Sequence, residues 1–223
     1  MRFPTLPTHN LPSFGERFAT IDSFLSEEDF DALREEILAL VKTERNYIPS
    51  HKKGGTIAYD TLRASAPRTT ALYTSAEYKT CISDIVGVPL QETPHRDNSS
   101  LSILFYERPG DHIGWHYDHN FYRGRHFTVL IPIENRGHHE HGLSAATLLV
   151  KRNNEDVAVQ TPPNKLIVFE GARTLHKVTP IEEGERRVIL SMTYTTDPRS
   201  YPILNFIRKV KDTAFFGLRA LWS

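Results

Sequence analysis

LSILFYE (101–107), HFTVLIPIEN (126–135), ATLLVKR (146–152), VAVQ (157–160), KLIVFEG (165–171) and RVILSMTYT (187–195) are short runs rich in β-branched and aromatic residues. Such residues suit a pleated, half-buried surface. The segments RPGD (108–111), NRGHHEHG (135–142), TPPN (161–164) and EEGE (182–185) lie between several of the runs and carry turn-forming residues. Many short strands joined by polar turns predict a sandwich or barrel that begins near residue 99.

Upstream the texture is helical. Ser26 precedes EEDFDALREEILALV (27–41). A serine cap, acids in the first turn, and Phe30, Leu33, Ile37, Leu40 and Val41 at helical spacing predict a helix. Residues 44–70 are polar, with Gly54-Gly55 and Pro67, and read as loop with one short strand. A second helix is expected from Ser75 to Ile85. The first 15 residues, with three prolines, read as an extended arm. From Tyr201 to Trp222, Phe206, Ile207, Val210, Phe215, Leu218 and Leu221 pattern a closing amphipathic helix. The expected architecture is α+β but mainly β, a single domain over 1–223. It has a helical support region over 1–98, a β core over 99–196 and a terminal helix over 197–223.

Composition excludes several classes. A chain of 223 residues can bury a core without disulfides or structural metal. Hydrophobic residues at 39% and charged residues at 24% describe a folded protein, not a disordered one. Lys plus Arg and Asp plus Glu balance at 27 each, so the overall charge calls for no nucleic acid and no acidic membrane as partner. The one cysteine, Cys81, rules out a disulfide framework and a cysteine-rich zinc site, and suits a reducing compartment. The start lacks the apolar core of a signal peptide, and no run of about 18 apolar residues suggests a membrane span. A cytoplasmic protein is expected.

His116-Tyr117-Asp118 carries the chemistry. Residues i and i+2 of a strand point to one face, so a His and an Asp two apart can hold one ion. His95-Arg96-Asp97 has the same spacing, but it lies in a polar stretch after Pro94, whereas His116 follows a proline-glycine turn and lies between two strands. The third ligand is assigned to His176, 58 positions after Asp118 in TLHKVTP. Two histidines and one carboxylate on one side of an octahedral iron leave three positions for a chelating cosubstrate and O2. A cosubstrate such as 2-oxoglutarate has a far carboxylate that needs a fixed cation, and an arginine fork supplies one. Arg186 and Arg187 compete for that role. Arg187 shares a strand face with Ile189, Ser191 and Thr193, and Arg186 shares one with Val188, Leu190, Met192 and Tyr194. The first face is more polar and reads as the site wall, which favours Arg187.

These residues resemble a known family. LFYERPGDHIGWHYD (104–118), GLSAATLLV (142–150) and KLIVFEGARTLHKVTPIEEGERRVILSMTY (165–194) are similar, in order and spacing, to the prolyl-4-hydroxylase-like Fe(II)/2-oxoglutarate dioxygenases. The resemblance covers roughly residues 99–195. It implies a double-stranded β-helix of the jelly-roll or cupin kind, with Fe(II) on His116, Asp118 and His176. It also implies 2-oxoglutarate on Arg187 or Arg186, Tyr106 near the cosubstrate, and O2 as oxidant with ascorbate as reductant. GERRVILSMTY is similar as well to a branch that hydroxylates or halogenates free amino acids. The halogenases of that branch lack the carboxylate ligand, so Asp118 makes the resemblance one to a hydroxylase.

The substrate is expected to be a small molecule or a peptide. His119, Asn120, Tyr122, Arg125 and Glu134 are candidates for its pocket, and Arg45, Arg63, Arg68 and Arg96 are candidates for binding a carboxylate. The HHEH loop (138–141) is a further candidate for the pocket; it reads first as a solvated turn, with a second metal as the lesser alternative, since its spacing fits any metal site only loosely. The terminal helix is expected to pack on the barrel, with a lid, a membrane-surface element or a homodimer contact as other roles. Two rival readings are a cupin-like zinc metalloenzyme and a non-catalytic metal-binding protein.

Overall fold

The computed structural model describes residues 14–44, 46–47 and 52–200. Most of the expected N-terminal arm, the expected terminal helix and Arg45 lie outside the described residues. In chain order the elements are β1 (Phe18–Ile21), α1 (Glu27–Thr43), β2 (Asn46–Tyr47), β3 (Lys52–Lys53), β4 (Gly55–Ile57), α2 (Tyr59–Ser65), α3 (Pro67–Thr74) and α4 (Ala76–Val86). There follow β5 (Gln91–Glu92), β6 (Leu101–Tyr106), β7 (His112–His116), β8 (His126–Arg136), β9 (Leu148–Arg152), β10 (Glu155–Val159), β11 (Leu166–Phe169), β12 (His176–Val178) and β13 (Arg186–Thr195).

The first long helix forms where its cap predicts. Ser26 Oγ accepts from the Asp29 amide at 3.2 Å, and Glu27, Glu28 and Asp29 sit at the positive end of the helix dipole. Its apolar stripe is buried, with Ile37 fully enclosed. Ile37→Ala is expected to cost about 2–5 kcal/mol of stability. Chemical denaturation checks this, and a cost well under 1 kcal/mol would take α1 out of the cooperative core.

The expectation of loop over residues 44–70 is corrected. Helix α2 occupies 59–65, and α3 begins at Pro67. Proline suits a first helical position because it has no N–H to lose there. The start of α3 is held from outside: Glu36 of α1 accepts from the amides of Arg68 and Thr69 (2.9 and 2.8 Å) and from the Thr69 hydroxyl (2.7 Å). A cap delivered by another helix leaves no local pattern. Helix α4 fits expectation, with Ser75 Oγ accepting from the Tyr78 amide and Gly87 ending it at φ 72°.

The strands make two antiparallel sheets. The larger runs β1-β11-β8-β13-β6-β4-β2, with β5 beside β13; the smaller runs β10-β9-β12-β7-β3. Together they are the double-stranded β-helix, or jelly roll. Alternation along β13 divides the core. Val188, Leu190, Met192 and Tyr194 join Leu33, Ile37, Leu72 and Tyr78 in a cluster between the larger sheet and the helices. Ile189 faces the other way, toward Tyr106, Leu130, Phe169, Leu148, Val150 and Val178 in a cluster between the sheets. The larger sheet is thus covered on both faces, and its inner face is where a site can form.

Candidate metal centre

Strands β7 and β12 pair so that His116 lies directly opposite His176. Their ring centroids are 4.2 Å apart. Asp118 lies just past the end of β7. Its amide donates to the Gly171 carbonyl at 3.0 Å, which holds the chain against the segment after β11. Asp118 Oδ1 then lies 3.6 Å from His116 Nε2 and 3.8 Å from His176 Nε2. One donor atom from each residue falls within 4.8 Å of the others, as one metal ion requires.

Neighbouring groups fix the donors. Nδ1 of His116 meets the Gly114 carbonyl and Nδ1 of His176 meets the Thr174 carbonyl, each at 2.9 Å. A carbonyl only accepts, so Nδ1 carries the proton and the Nε2 lone pair of each ring is left for a metal. Burial lowers the His176 pKa, which favours the neutral, metal-binding form. Burial opposes the charge on Asp118, but the facing His176 and His116, where they carry charge, and the Thr128 hydroxyl outweigh it and hold the carboxyl well below the ordinary range. Thr128 Oγ1 donates to Asp118 Oδ2 at 2.5 Å and so leaves Oδ1 to the metal.

Thr128 and Gly171 were not singled out in the sequence. A hydroxyl inside the apolar run HFTVLIPIEN was a signal that could have found Thr128. Gly171 gave none: a Cβ there would overlap Asp118 Oδ2 and Thr128 Oγ1, a closeness created only by the fold. Thr128→Val is expected to weaken Fe(II) binding about 10- to 100-fold, with Thr128→Ser restoring it. Anaerobic metal titration reads the effect, and unchanged affinity would show that Asp118 is oriented without the hydroxyl.

The two arginines at the start of β13 have opposite surroundings. Arg186 Nε bonds Glu107 Oε1 at 2.9 Å, and its Nη1 lies 3.0 Å from Glu134 Oε2. Arg187 is 1% exposed and makes no ion pair among the described residues. It pairs across the sheet with Tyr106, and its guanidinium lies over the Tyr106 ring, 5.3 Å from the centroid. Neither Arg187 Nε nor the Tyr106 hydroxyl has a hydrogen-bond partner among the described residues. Burial pushes the Tyr106 phenol up to about 12, against the pull of Arg187. Leaving an arginine buried without a counter-charge costs several kcal/mol. An anion on the inner face, such as the far carboxylate of 2-oxoglutarate, fits these unsatisfied donors. Ser191 and Thr193 lie on the Arg187 side of β13, both largely buried. Thr193 Oγ1 is already engaged with Thr93 Oγ1 at 2.8 Å.

The other sequence candidates are mostly committed elsewhere. Tyr122 donates to Asp97 at 2.5 Å, and Asn120 bonds the Gly124 carbonyl and the Tyr122 amide. Arg125 makes a two-point contact with Glu170 (3.3 and 3.0 Å), and Glu134 is shared by Arg136 and Arg186. His119 stacks on Phe121. His95 bonds Tyr59 while Asp97 accepts from Tyr122, and neither belongs to a group of donors among the described residues that could hold a metal. Arg63, Arg68 and Arg96 are exposed.

A sequence profile of the family described as Halogenase D matches residues 12–201. The chain belongs to the Halogenase D family. No curated protein matches this family member in sequence. Solved structures share its fold. A Pseudomonas putida prolyl-4-hydroxylase is 16% identical over 82% of this chain and 94% of its own, with a TM-score of 0.62. A Trichoplax adhaerens prolyl hydroxylase, in complex with a hypoxia-inducible-factor peptide, is 16% identical over 85% and 87%, at 0.63. SnoN, an α-ketoglutarate-dependent epimerase of nogalamycin biosynthesis, is 14% identical over 80% and 77%, at 0.64. The expected likeness to prolyl-4-hydroxylases is therefore met in the fold. Among the described residues, no helix is long and apolar enough to cross a membrane.

Proposed function

We propose that this Halogenase D family member is an Fe(II)- and 2-oxoglutarate-dependent oxygenase that hydroxylates an unactivated C–H bond. Its substrate is a small molecule, such as a free amino acid, or a peptidyl residue. The observation that carries this reading is a buried arginine with no counter-charge among the described residues, on the same β-helix as a His-Asp-His set with oriented donors. A hydrolytic metal site has no need of such an arginine.

His116, Asp118 and His176 would hold the iron, and Arg187 with the Tyr106 hydroxyl would hold the far carboxylate of 2-oxoglutarate. When bound, iron, 2-oxoglutarate and O2 supply the oxidising power to hydroxylate such a bond, with succinate and CO2 released; ascorbate would keep the metal ferrous. The Gly114 and Thr174 carbonyls hold each ring proton on Nδ1, and Thr128 holds one Asp118 oxygen off the metal side. The apolar inner cluster, with Phe169 edge-on to His176 at 4.8 Å, encloses the His176 side of the site, while His116 and Asp118 stay partly open to solvent, the side from which a substrate can approach. Asp118 favours hydroxylation over the halogenation in the family's name, because it occupies the position a halide would take. A free thiol at Cys81 accords with a reducing compartment such as the cytoplasm.

The test begins with anaerobically purified protein, Fe(II) and 2-oxoglutarate. O2 is then admitted in the presence of pooled amino acids and small peptides, with His176→Ala as control. Succinate above the control, and a product heavier by one oxygen, are expected. Succinate with a product that gains no oxygen would keep the class and replace hydroxylation by another oxidation. No succinate and no Fe(II)–2-oxoglutarate charge-transfer band would turn the reading to a zinc enzyme or a metal-binding protein.

A further inference from the structure

The turn 181–185, just before β13, packs against the loop 137–143 that follows β8. Each segment brings donors that the metal centre does not use. His139 Nε2 lies 3.3 Å from Glu182 Oε2 and 3.7 Å from Glu185 Oε1. One donor atom from each of the three residues falls within 4.8 Å of the others. Four ligands at about 2.0–2.1 Å around a tetrahedral zinc stand roughly 3.3–3.4 Å apart. The present separations need only small side-chain adjustment to reach that.

Glu185 makes the arrangement more than a surface cluster. Its side chain is fully enclosed, whereas those of His139 and Glu182 are half-exposed or more. Backbone amides of Ala145 and Glu182 donate to its Oε2, each at 2.9 Å, so the carboxylate cannot swing away. Gly137 packs so closely that any Cβ there would overlap Oε1. Among the described residues, that oxygen keeps only a long 3.5 Å contact with the His138 amide and otherwise faces His139. Among the described residues, neither Glu182 nor Glu185 pairs with a lysine or arginine. The nearby Arg136 is turned to Glu134. Two carboxylates, one of them buried, thus face a single imidazole with no fixed cation, and a buried carboxylate without a counter-charge is costly.

We propose that His139, Glu182 and Glu185 form a second divalent-metal site, of zinc type, that clamps the loop after β8 to the turn before β13. One nitrogen and two carboxylate oxygens suit Zn2+, with water in the fourth position. His138 is a second imidazole beside it, its Nε2 3.7 Å from where a Gly184 Cβ would stand. Glu185 immediately precedes Arg186 and Arg187, so a filled site ties down the start of the strand that carries the buried arginine. The site shares no residue with His116, Asp118 and His176, and it stands whether or not the chain is an oxygenase.

The test counts metal on the full chain. Metal-free protein is dialysed against low-micromolar Zn2+, and bound zinc is measured by atomic emission. The wild type is expected to hold two ions per chain. His139→Ala and Glu182→Gln are each expected to hold one, His116→Ala one, and His116→Ala combined with His139→Ala none. Both test positions are solvent-accessible, so their substitution spares the fold; Glu185 itself is left alone. Zinc should also raise the melting temperature of His116→Ala but not of the double variant. Equal zinc in wild type, His139→Ala and Glu182→Gln overturns the proposal, as does binding that appears only at millimolar zinc. Failure of the iron-site assignment looks different: His116→Ala would then keep the wild-type count while His139→Ala still loses one ion.

Discussion

Arg187→Gln is expected to raise the 2-oxoglutarate concentration for half-saturation roughly 10- to 100-fold, the loss of a charge-assisted bond of about 1.5–3 kcal/mol. Fe(II) binding should stay as it is, because Arg187 touches none of the three donors. Anaerobic titration of the charge-transfer band measures the shift directly. The same substitution should leave the melting temperature of the ligand-free protein unchanged or higher. Arg187 is almost wholly buried and has no ion pair among the described residues, so removing its charge relieves a cost. Arg186→Gln should do the reverse. It removes one partner from Glu107 and one of two arginines from the buried Glu134, which lowers the melting temperature and leaves half-saturation where it was. If Arg186→Gln lost the cosubstrate and Arg187→Gln kept it, the anchor would have to be reassigned.

Gly171→Ala is the second large effect. One methyl group should weaken iron binding by about 10- to 100-fold or more, the scale seen when groups that orient metal ligands are disturbed. Gly171 does not need a left-handed backbone, so alanine meets no conformational penalty there; the obstacle is the Asp118 carboxylate and the Thr128 hydroxyl. To admit a Cβ, Asp118 must turn away from His116 and His176. Gly114→Ala is the control. It lies two residues before His116, yet a Cβ there meets nothing within 4 Å, so iron content should hold. Both variants are compared by iron content after anaerobic dialysis. Full retention of iron in Gly171→Ala would mean that the loop bearing Asp118 yields easily and that Gly171 is not what sets its position.

Legibility in the sequence differed from element to element. Helix α1 and helix α4 were readable because Ser26 and Ser75 cap them locally and their buried residues recur at helical spacing. The β runs were readable because β-branched residues and turn signals alternate along the chain. Helices α2 and α3 were not, since the start of α3 is capped by Glu36 from a distant helix. Strand parity ranked Arg187 above Arg186, and the surroundings of the two residues differ in the same sense. The HHEH loop read mainly as a solvated turn because its carboxylate neighbours come from a turn more than 40 residues away.

The sequence alone determined what depends on neighbours along the chain: the caps, the β alternation, and which histidines and acids were worth weighing as a set. Pairing decided the rest. His116 meets His176 because β7 and β12 are in that register. Asp118 is aimed by Thr128 and given room by Gly171, residues from two other segments. Arg186 and Arg187 are adjacent in sequence, but the sheet sends one to two glutamates and leaves the other in the interior with no counter-charge among the described residues. The physical reason is that burial and ion pairing are set by distances in space, and closing the two sheets brings together groups that the chain keeps tens of residues apart.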